Sequence, residues 1–163
     1  DFLIISPDAG ATKRTLKFAK LLKLNTLIMH KQRDYSKVNC VEEAIVIGDT
    51  DALKDKTAII MDDMCDTGGT LIKACDTLVN YGAKKVIAIV THGILSGPAI
   101  ERINNCKYLD KMIVSNTIPQ EYNLSKCDKL EVFGIEELMA NAIQKLISSG
   151  SLSDLFKVVE INS

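Results

Sequence analysis

Three features of this 163-residue chain predict an α/β fold with a parallel sheet flanked by helices. Short apolar runs recur along the sequence, amphipathic helical patterns separate them, and the runs are apolar throughout instead of alternating with polar residues. Strands with continuous apolar sequence are typical of a parallel sheet that is covered on both faces, with the intervening helices as crossovers. In such folds ligands bind beyond the carboxyl ends of the strands, so chemistry is expected just after each apolar run.

The first half of the chain alternates between strand and helix patterns. An apolar run at 2–6 is followed by a helical pattern at 11–22, in which Leu16, Ala19 and Leu22 share one face and lysines occupy the others. A second apolar run covers 26–30, and the polar stretch 31–39, which lacks apolar periodicity, is predicted to be a loop. Strands are predicted at 41–48, which ends at a Gly-Asp pair, and at 57–61.

The second half continues the alternation. A helix is predicted at 70–81, because Gly82 is a good residue to end it. A strand follows at 86–91, and Pro98 suits the first turn of a helix that reaches about residue 104. Further strands are predicted at 112–115 and 130–133, and a helix at 135–147 precedes the tail at 151–156.

Composition indicates one ordinary globular domain spanning 1–163. Hydrophobic residues make up 47% and charged residues 25%, with 20 basic against 21 acidic side chains, which excludes a disordered chain and a strongly basic nucleic-acid binder. The apolar runs are far shorter than the ~20 residues of a membrane span, so a membrane is not expected as a partner. Because the charges are balanced, nucleic acid is not expected as a partner either. No signal-peptide pattern precedes the first strand, and five cysteines without a CxxC pair indicate free thiols; a cytoplasmic location is therefore expected.

The segment 59–70, Ile-Ile-Met-Asp-Asp-Met-Cys-Asp-Thr-Gly-Gly-Thr, carries the clearest chemical signal. Gly68 and Gly69 allow the backbone to approach a ligand, and free amides at a helix start bind anions. Thr67 and Thr70 add hydroxyl donors, so a phosphate suits this turn. A glycine-rich turn with a simple helix cap is the alternative, which three carboxylates within five positions make the weaker one.

The adjacent carboxylates Asp62 and Asp63 would repel a phosphate but suit sugar hydroxyls, since ionised carboxylates only accept hydrogen bonds. A phosphate site beside a diol site describes a ribose phosphate. Other nucleotide-site motifs are missing: the sequence has neither GxxxxGK[ST] nor GxGxxG.

Two further features indicate a function only when they are considered together with this segment. Asp8 follows the first strand, where a role as helix cap is the favoured explanation from its position alone. Lys31 and Arg33 lie in a region, 12–37, with eight basic residues and one acidic residue, whereas 42–66 has eight acidic and two basic residues. Such separation suggests a site for polyphosphate and its metal ion, although a solvated charged loop is the favoured explanation of Lys31 and Arg33 taken alone.

Segment 59–70 resembles the ribose-phosphate loop of the type I phosphoribosyltransferase superfamily. Four other segments, at 6–10 (SPDAG), 30–33 (HKQR), 91–99 (THGILSGPA) and 116–120 (NTIPQ), narrow the resemblance to the ribose-phosphate pyrophosphokinase family, in the same order along the chain. The resemblance covers nearly all of this chain but only the carboxyl-terminal half of family members. Their amino-terminal domain, of similar fold, holds most adenine-binding elements and a metal-binding histidine, so the chain alone is expected to be inactive.

The resemblance implies an activity and a role for each matching residue. The family transfers the pyrophosphoryl group of ATP to the C1 hydroxyl of ribose 5-phosphate, with Mg²⁺ as cofactor and usually as a homo-oligomer. Asp8 would bind the metal, and Lys31 and Arg33 would belong to a catalytic loop. The implied substrate-binding residues are Asp62, Asp63, Asp66, Thr67, Gly68, Gly69 and Thr70, and a regulatory nucleotide or phosphate site would use Ser151, Ser153 and Phe156.

Two other functions remain open from sequence. One is a non-catalytic subunit that associates with active synthetase subunits, which the presence of Asp8, Lys31, Arg33 and an intact 62–70 segment disfavours. The other is a phosphoribosyltransferase that consumes the product, which the 91–99 segment and the Lys31 region disfavour because that superfamily needs neither.

Overall fold

A computed structural model of the chain describes residues 1–33 and 42–156. Its strands form one seven-stranded sheet: β1 (Phe2–Ser6), β2 (Thr26–Arg33), β3 (Glu42–Ile47), β4 (Thr57–Cys65), β5 (Lys85–Gly93), β6 (Leu109–Ser115) and β7 (Leu130–Phe133). The helices are α1 (Thr12–Leu22), α2 (Gly69–Asn80), α3 (Ala99–Asn105), α4 (Glu121–Leu124) and α5 (Glu136–Ile147), with short 3₁₀ turns at Thr50–Leu53 and Leu152–Phe156. The expected α/β class and flanking helices are confirmed.

The strand order β3-β2-β1-β4-β5-β6-β7 places β1 beside β4 at the centre of the sheet. From β1 the chain moves towards β2 on one side, whereas from β4 it moves towards β5 and β6 on the other. Right-handed crossovers then put α1 on one face and α2 and α3 on the opposite face. The gap between β1 and β4 is therefore the topological switch point, where open α/β sheets bind ligands at the carboxyl ends of the strands.

The sheet is not wholly parallel, which corrects the prediction in one place. β3 pairs antiparallel with β2, and Lys31 lies opposite Ala44 and Arg33 opposite Glu42 in the register. The predicted loop at 31–39 was wrong for its first three residues, because β2 continues through Arg33 as one arm of this pair. Residues 34–39 of that prediction lie outside the described part of the chain.

The core lies between the sheet and its helices. Leu3, Ile5, Ile60, Val86 and Met112 are fully or almost fully buried, as their apolar strand runs predict. Burial of this kind stabilises by roughly 25 cal/mol per Å² of apolar surface.

Helix α1 differs from the predicted orientation. Thr15 and Ala19 face the core, whereas Leu16 is 52% and Leu22 41% exposed. Small side chains on this face allow α1 to approach β1 and β2 closely, and the larger leucines point away. Among the described helices, none is long and apolar enough to cross a membrane.

Candidate active site

The carboxyl ends of β1 and β4 open into one cavity of about 1090 Å³. The predicted site residues that line it are Asp8, Asp62, Asp66, Thr67, Gly68, Gly69 and Thr70. Parallel pairing brings them together, because Ile5 lies beside Ile60 in the register and the segments that follow both strands leave the sheet at the same edge. Met29 of β2 and Ala44 of β3 complete the far wall.

Asp8 lies in the turn before α1 but does not cap that helix, whose N-cap residue is Ala11. Its Oδ1 accepts a hydrogen bond from the Ala11 amide at 2.8 Å, in the turn that leads into α1. The Asp8 carbonyl accepts a hydrogen bond from Ser6 Oγ at 2.7 Å, which fixes the turn to the end of β1. The other carboxylate oxygen has no hydrogen-bond partner among the described residues, and Asp8 is one of the residues that line the cavity.

Asp62 and Asp63 differ in environment, although they are adjacent. Both lie inside β4, which runs four residues further than the predicted strand, to Cys65. Asp62 lines the cavity with its side chain 31% exposed, whereas Asp63 is 57% exposed and is not among the lining residues. The structure therefore places only the first of the two predicted diol carboxylates in the cavity wall.

The two carboxyl groups also differ in acidity. Burial raises the pKa of Asp62 above its usual value, and the nearby charges of Asp63 and Asp8 add to the shift. A hydrogen bond with Asp62 lowers the pKa of Asp63, and the Arg14 guanidinium acts in the same direction. Asp62 therefore lies close enough to both Asp63 and Asp8 for their charges to act on it, and a cation beside Asp8 and Asp62 would relieve the repulsion between those two carboxylates.

The turn after β4 presents unoccupied amides at the start of α2. Gly68 has φ +75°, a left-handed conformation that glycine adopts without strain, and its carbonyl accepts the Ile72 amide at 3.0 Å. Across the described residues, no hydrogen bond occupies the amides of Gly69, Thr70 or Leu71. These donors and the positive end of the helix dipole would favour an anion at the cavity wall.

Cys65, at the base of this turn, is not a nucleophile. Burial raises its pKa to about 11, and a hydrogen bond from the Gly68 amide opposes the shift only partly. The thiol therefore stays protonated at neutral pH. It acts as a partner for the backbone of the turn.

Lys31 and Arg33 are placed by their backbone alone, because their side chains lie outside the described part of the structure. Both belong to β2, two residues apart, at the end of the strand that borders the cavity. Met29 precedes Lys31 by two residues and Ala44 is its register partner, and both line the cavity. The backbone of the predicted catalytic segment therefore starts at the cavity.

The predicted regulatory residues lie elsewhere. Ser151 lies just before the short 3₁₀ turn Leu152–Phe156, and Ser153 lies within this turn, which packs against α5. The hydroxyl groups of the two serines hydrogen-bond to each other, and neither residue lines the cavity. Lys145 of α5 contacts Asp154 of the same turn at 3.3 Å. The side chain of Phe156 lies outside the described residues.

Sequence reasoning missed two arginines at the site. Arg14 of α1 reaches both Asp62 and Asp63, and Arg102 of α3 donates from Nη1 to the Thr67 carbonyl at 2.8 Å. Each arginine is distant along the chain from the residue it contacts. The excess of basic residues at 12–37 was the only sequence signal for the first, and there was none for the second.

Comparisons with known proteins find relatives over most of this chain. The family model described as phosphoribosyl synthetase-associated domain matches residues 43–157. Ribose-phosphate pyrophosphokinase 3 of Saccharomyces cerevisiae is 48% identical over 157 residues, which are 96% of this chain and 47% of that protein. The crystal structure of phosphoribosylpyrophosphate synthetase from Mycobacterium smegmatis matches with a TM-score of 0.79 at 37% identity, over 92% of this chain and 46% of that chain.

This chain spans about half the length of both relatives. The match extends over strands, helices and the turn that forms the cavity wall, so the resemblance seen in the motifs is confirmed. The chain belongs to the ribose-phosphate pyrophosphokinase, or phosphoribosyl synthetase, family.

Proposed function

We propose that this chain supplies the ribose 5-phosphate half of an active site that transfers the pyrophosphoryl group of ATP to the C1 hydroxyl of ribose 5-phosphate. In this reaction the C1 hydroxyl loses its proton to solvent and its oxygen bonds to the β-phosphorus of ATP, the bond from that phosphorus to the oxygen shared with the α-phosphorus breaks, and AMP leaves with that oxygen. One observation carries the proposal: the turn with free amides at the start of α2 and the carboxylate residues Asp8 and Asp62 line one cavity at the switch point between β1 and β4.

The sugar phosphate would bind across this cavity. Its 5-phosphate would accept hydrogen bonds from the amides at the start of α2 and from the Thr67 and Thr70 hydroxyls. Its ring hydroxyls would donate to Asp62, and Asp63 would take part after a change of side-chain conformation. The Asp66 carboxylate is hydrogen-bonded by Ser96 and would hold the shape of the turn instead of touching the phosphate.

Magnesium suits the donors at this edge. Asp8 and Asp62 are close enough for the charge of one to shift the pKa of the other, and Mg²⁺ binds through one or two carboxylates plus waters and substrate phosphates. Within the described residues no group of three or more metal-ligating side chains converges, so a site completed by substrate oxygens fits better than an all-protein cage. When bound, the ion would neutralise phosphate charge during transfer.

Lys31 and Arg33 would act at the transferring group. Phosphoryl-type transfer needs positioned positive charge more than covalent help, and the β2–β3 pair starts at the cavity wall. We therefore propose a catalytic role for Lys31 and Arg33. We also propose a homo-oligomeric assembly, a cytoplasmic location and a regulatory role for Ser151, Ser153 and Phe156. The described cysteines Cys65, Cys75, Cys106 and Cys127 are free thiols, as expected for a reducing compartment.

Calorimetric titration of the chain with ribose 5-phosphate tests the proposal directly. Ribose and inorganic phosphate serve as half-ligands, and each is expected to bind more weakly than the intact compound, because one site uses both ends. A folded sample that gives no heat with ribose 5-phosphate would contradict the proposal. Turnover with ATP, measured in a full-length protein that carries this chain, separates the enzyme from a non-catalytic subunit.

A further inference from the structure

The turn at 66–70, called the phosphate turn below, is held from outside by the segment that follows β5. Arg102 donates from Nη1 to the Thr67 carbonyl at 2.8 Å, and the Ser96 hydroxyl donates to Asp66 Oδ1. These contacts join residues 35 and 30 positions apart in the chain. They bridge the ends of two neighbouring parallel strands, β4 and β5.

The contact at the Thr67 carbonyl sets the orientation of the next amide. The described peptide bonds are all trans, so the carbonyl of Thr67 and the amide of Gly68, which share one peptide plane, point in opposite directions. Arg102 holds the carbonyl on one side, so the Gly68 amide faces the other side. The peptide plane is held at its carbonyl edge, and the left-handed Gly68 then leads into Gly69, Thr70 and Leu71, which line the cavity.

The segment that carries Ser96 is itself strained. Leu95 has φ +49°, a conformation that costs a bulky side chain energy, yet it is buried and its amide bonds to the Cys65 carbonyl at 3.1 Å. Strain of this kind persists where the surroundings over-determine a loop, which is common beside functional sites. Here it presents the Ser96 hydroxyl to Asp66.

Arg102 has no carboxylate partner within ion-pair distance among the described residues. Its side chain is exposed, lines the substrate cavity and also lines a neighbouring cavity of about 580 Å³. A Cβ added to Gly69 would lie 3.4 Å from Nη1, so the guanidinium lies directly against the phosphate turn. Arg102 donates a hydrogen bond to a backbone carbonyl and not to a carboxylate of the described residues. This contact indicates that the side chain holds the backbone of the phosphate turn in its shape.

We propose that Arg102 and Ser96 are positioning residues that clamp the phosphate turn, so that its free amides face the cavity before any ligand arrives. The identity of the ligand rests on the function proposed above, but the clamp does not. Pre-organised donors bind more tightly because no ordering cost remains at the moment of binding. Both residues act through the backbone of the turn, not by contact with the substrate.

The test uses the whole chain, ¹⁵N-labelled, in four variants: Arg102→Met, Arg102→Lys, Ser96→Ala and the control Lys107→Met. Lys107 is an exposed cation that lines the smaller cavity but does not contact the phosphate turn. The first measurement, without ligand, is the amide shift of Gly68 and the hydrogen exchange of Gly69 and Thr70. The second is titration with ribose 5-phosphate and with inorganic phosphate.

Arg102→Met should shift the Gly68 amide signal and speed exchange at Gly69 and Thr70, and Arg102→Lys should restore part of the change. Ser96→Ala should perturb the same amides, and Lys107→Met should leave them as in the parent chain. Binding of ribose 5-phosphate should weaken about tenfold in Arg102→Met, because the ligand must then order a turn that has lost the charged hydrogen bond to its Thr67 carbonyl.

Unchanged amide signals in Arg102→Met and Ser96→Ala would overturn the clamp, whatever the ligand does. Equal perturbation by Lys107→Met would also overturn it, because the effect would then be one of general surface charge. If the parent chain binds neither probe while the amides respond as expected, the clamp stands and the proposed substrate is wrong. The two failures are thereby distinguished.

Discussion

Arg14 of α1 lies against Asp62 at the end of β4, with its Nη2 3.5 Å from Asp62 Oδ1. The same guanidinium places Nη1 3.7 Å from Asp63 Oδ2. These long, partly exposed ion pairs contribute only about 0–1 kcal/mol to stability. These ion pairs matter mainly at the site. The Arg14 charge offsets the repulsion between the Asp62 and Asp63 carboxylates, which would accept hydrogen bonds from a sugar in their ionised form.

Asp62→Asn should weaken ribose 5-phosphate binding by about tenfold or more, since an ionised acceptor for a sugar hydroxyl is lost. Its effect on stability depends on pH. The raised pKa means that the folded chain holds this proton more tightly than the unfolded chain, so the ionised carboxylate lowers stability as pH rises through the two pKa values. The Asp62→Asn chain should therefore gain most stability, relative to the parent chain, at neutral pH.

Urea unfolding of parent and Asp62→Asn chains between about pH 3 and pH 7 measures this trend. Asp63→Asn is the matched control with the opposite sign, because the pKa of Asp63 is lowered and its ionised form stabilises the folded chain above the usual pKa. A stability difference for Asp62→Asn that does not change with pH would contradict the role given to burial.

Gly93→Ala should destabilise the chain by about 1–3 kcal/mol. An added Cβ would lie 2.9 Å from Val114 Cγ1 and 3.2 Å from Gln120 Nε2, the atom that donates to the Gly93 carbonyl at 2.5 Å. Both neighbours are buried and have little room to move. The measurement is the free energy of unfolding in urea.

Gly97→Ala is the control for the Gly93 variant. Its φ of +55° costs an alanine about 1 kcal/mol, but no atom lies within 4 Å of the added Cβ. If Gly93→Ala costs no more than Gly97→Ala, the close packing between the ends of β5 and β6 is not as described.

Thr15→Val should stabilise the chain by about 1 kcal/mol. Thr15 is fully buried in α1, and its hydroxyl is the one buried side-chain oxygen or nitrogen without a partner among the described residues. Valine has nearly the same shape and removes the desolvated hydroxyl. Thr12→Val, by contrast, should destabilise, because that hydroxyl donates to the Asp8 carbonyl at 3.3 Å. Thermal unfolding of both variants measures these two changes in stability. Changes in the same direction would contradict the prediction.

Lys31→Ala, in a full-length protein that carries this chain, should lower the maximal rate by about 100-fold or more. The KM for ribose 5-phosphate should change far less, because the proposed contact forms with the transferring phosphoryl group and not with the sugar. Steady-state kinetics with ATP measure both, and Lys17→Ala in α1 controls for loss of a surface charge. Equal losses in rate and sugar binding would remove Lys31 from the catalytic step.

Local patterns predicted most elements and the chemistry of the turn after β4. Apolar runs located the seven strands, and helical periodicity with Gly82 as a terminator located α2 to within one residue at each end. The carboxylates and glycines of 62–70 indicated a sugar phosphate because those residue types determine which ligand atoms they can bind. The short helix α4 escaped prediction, since four residues carry too little periodicity.

Tertiary structure decided which of these parts meet. Sequence periodicity reports which face of an element is apolar, but strand order depends on contacts between residues far apart in the chain, and no local pattern encodes them. The pairing of β1 with β4 brings Asp8 to the turn that follows Asp62, and the antiparallel β3 brings the Lys31 backbone to the same cavity. Asp63 is not among the residues that line the cavity, and only packing between distant elements brings Arg14 and Arg102 to the site.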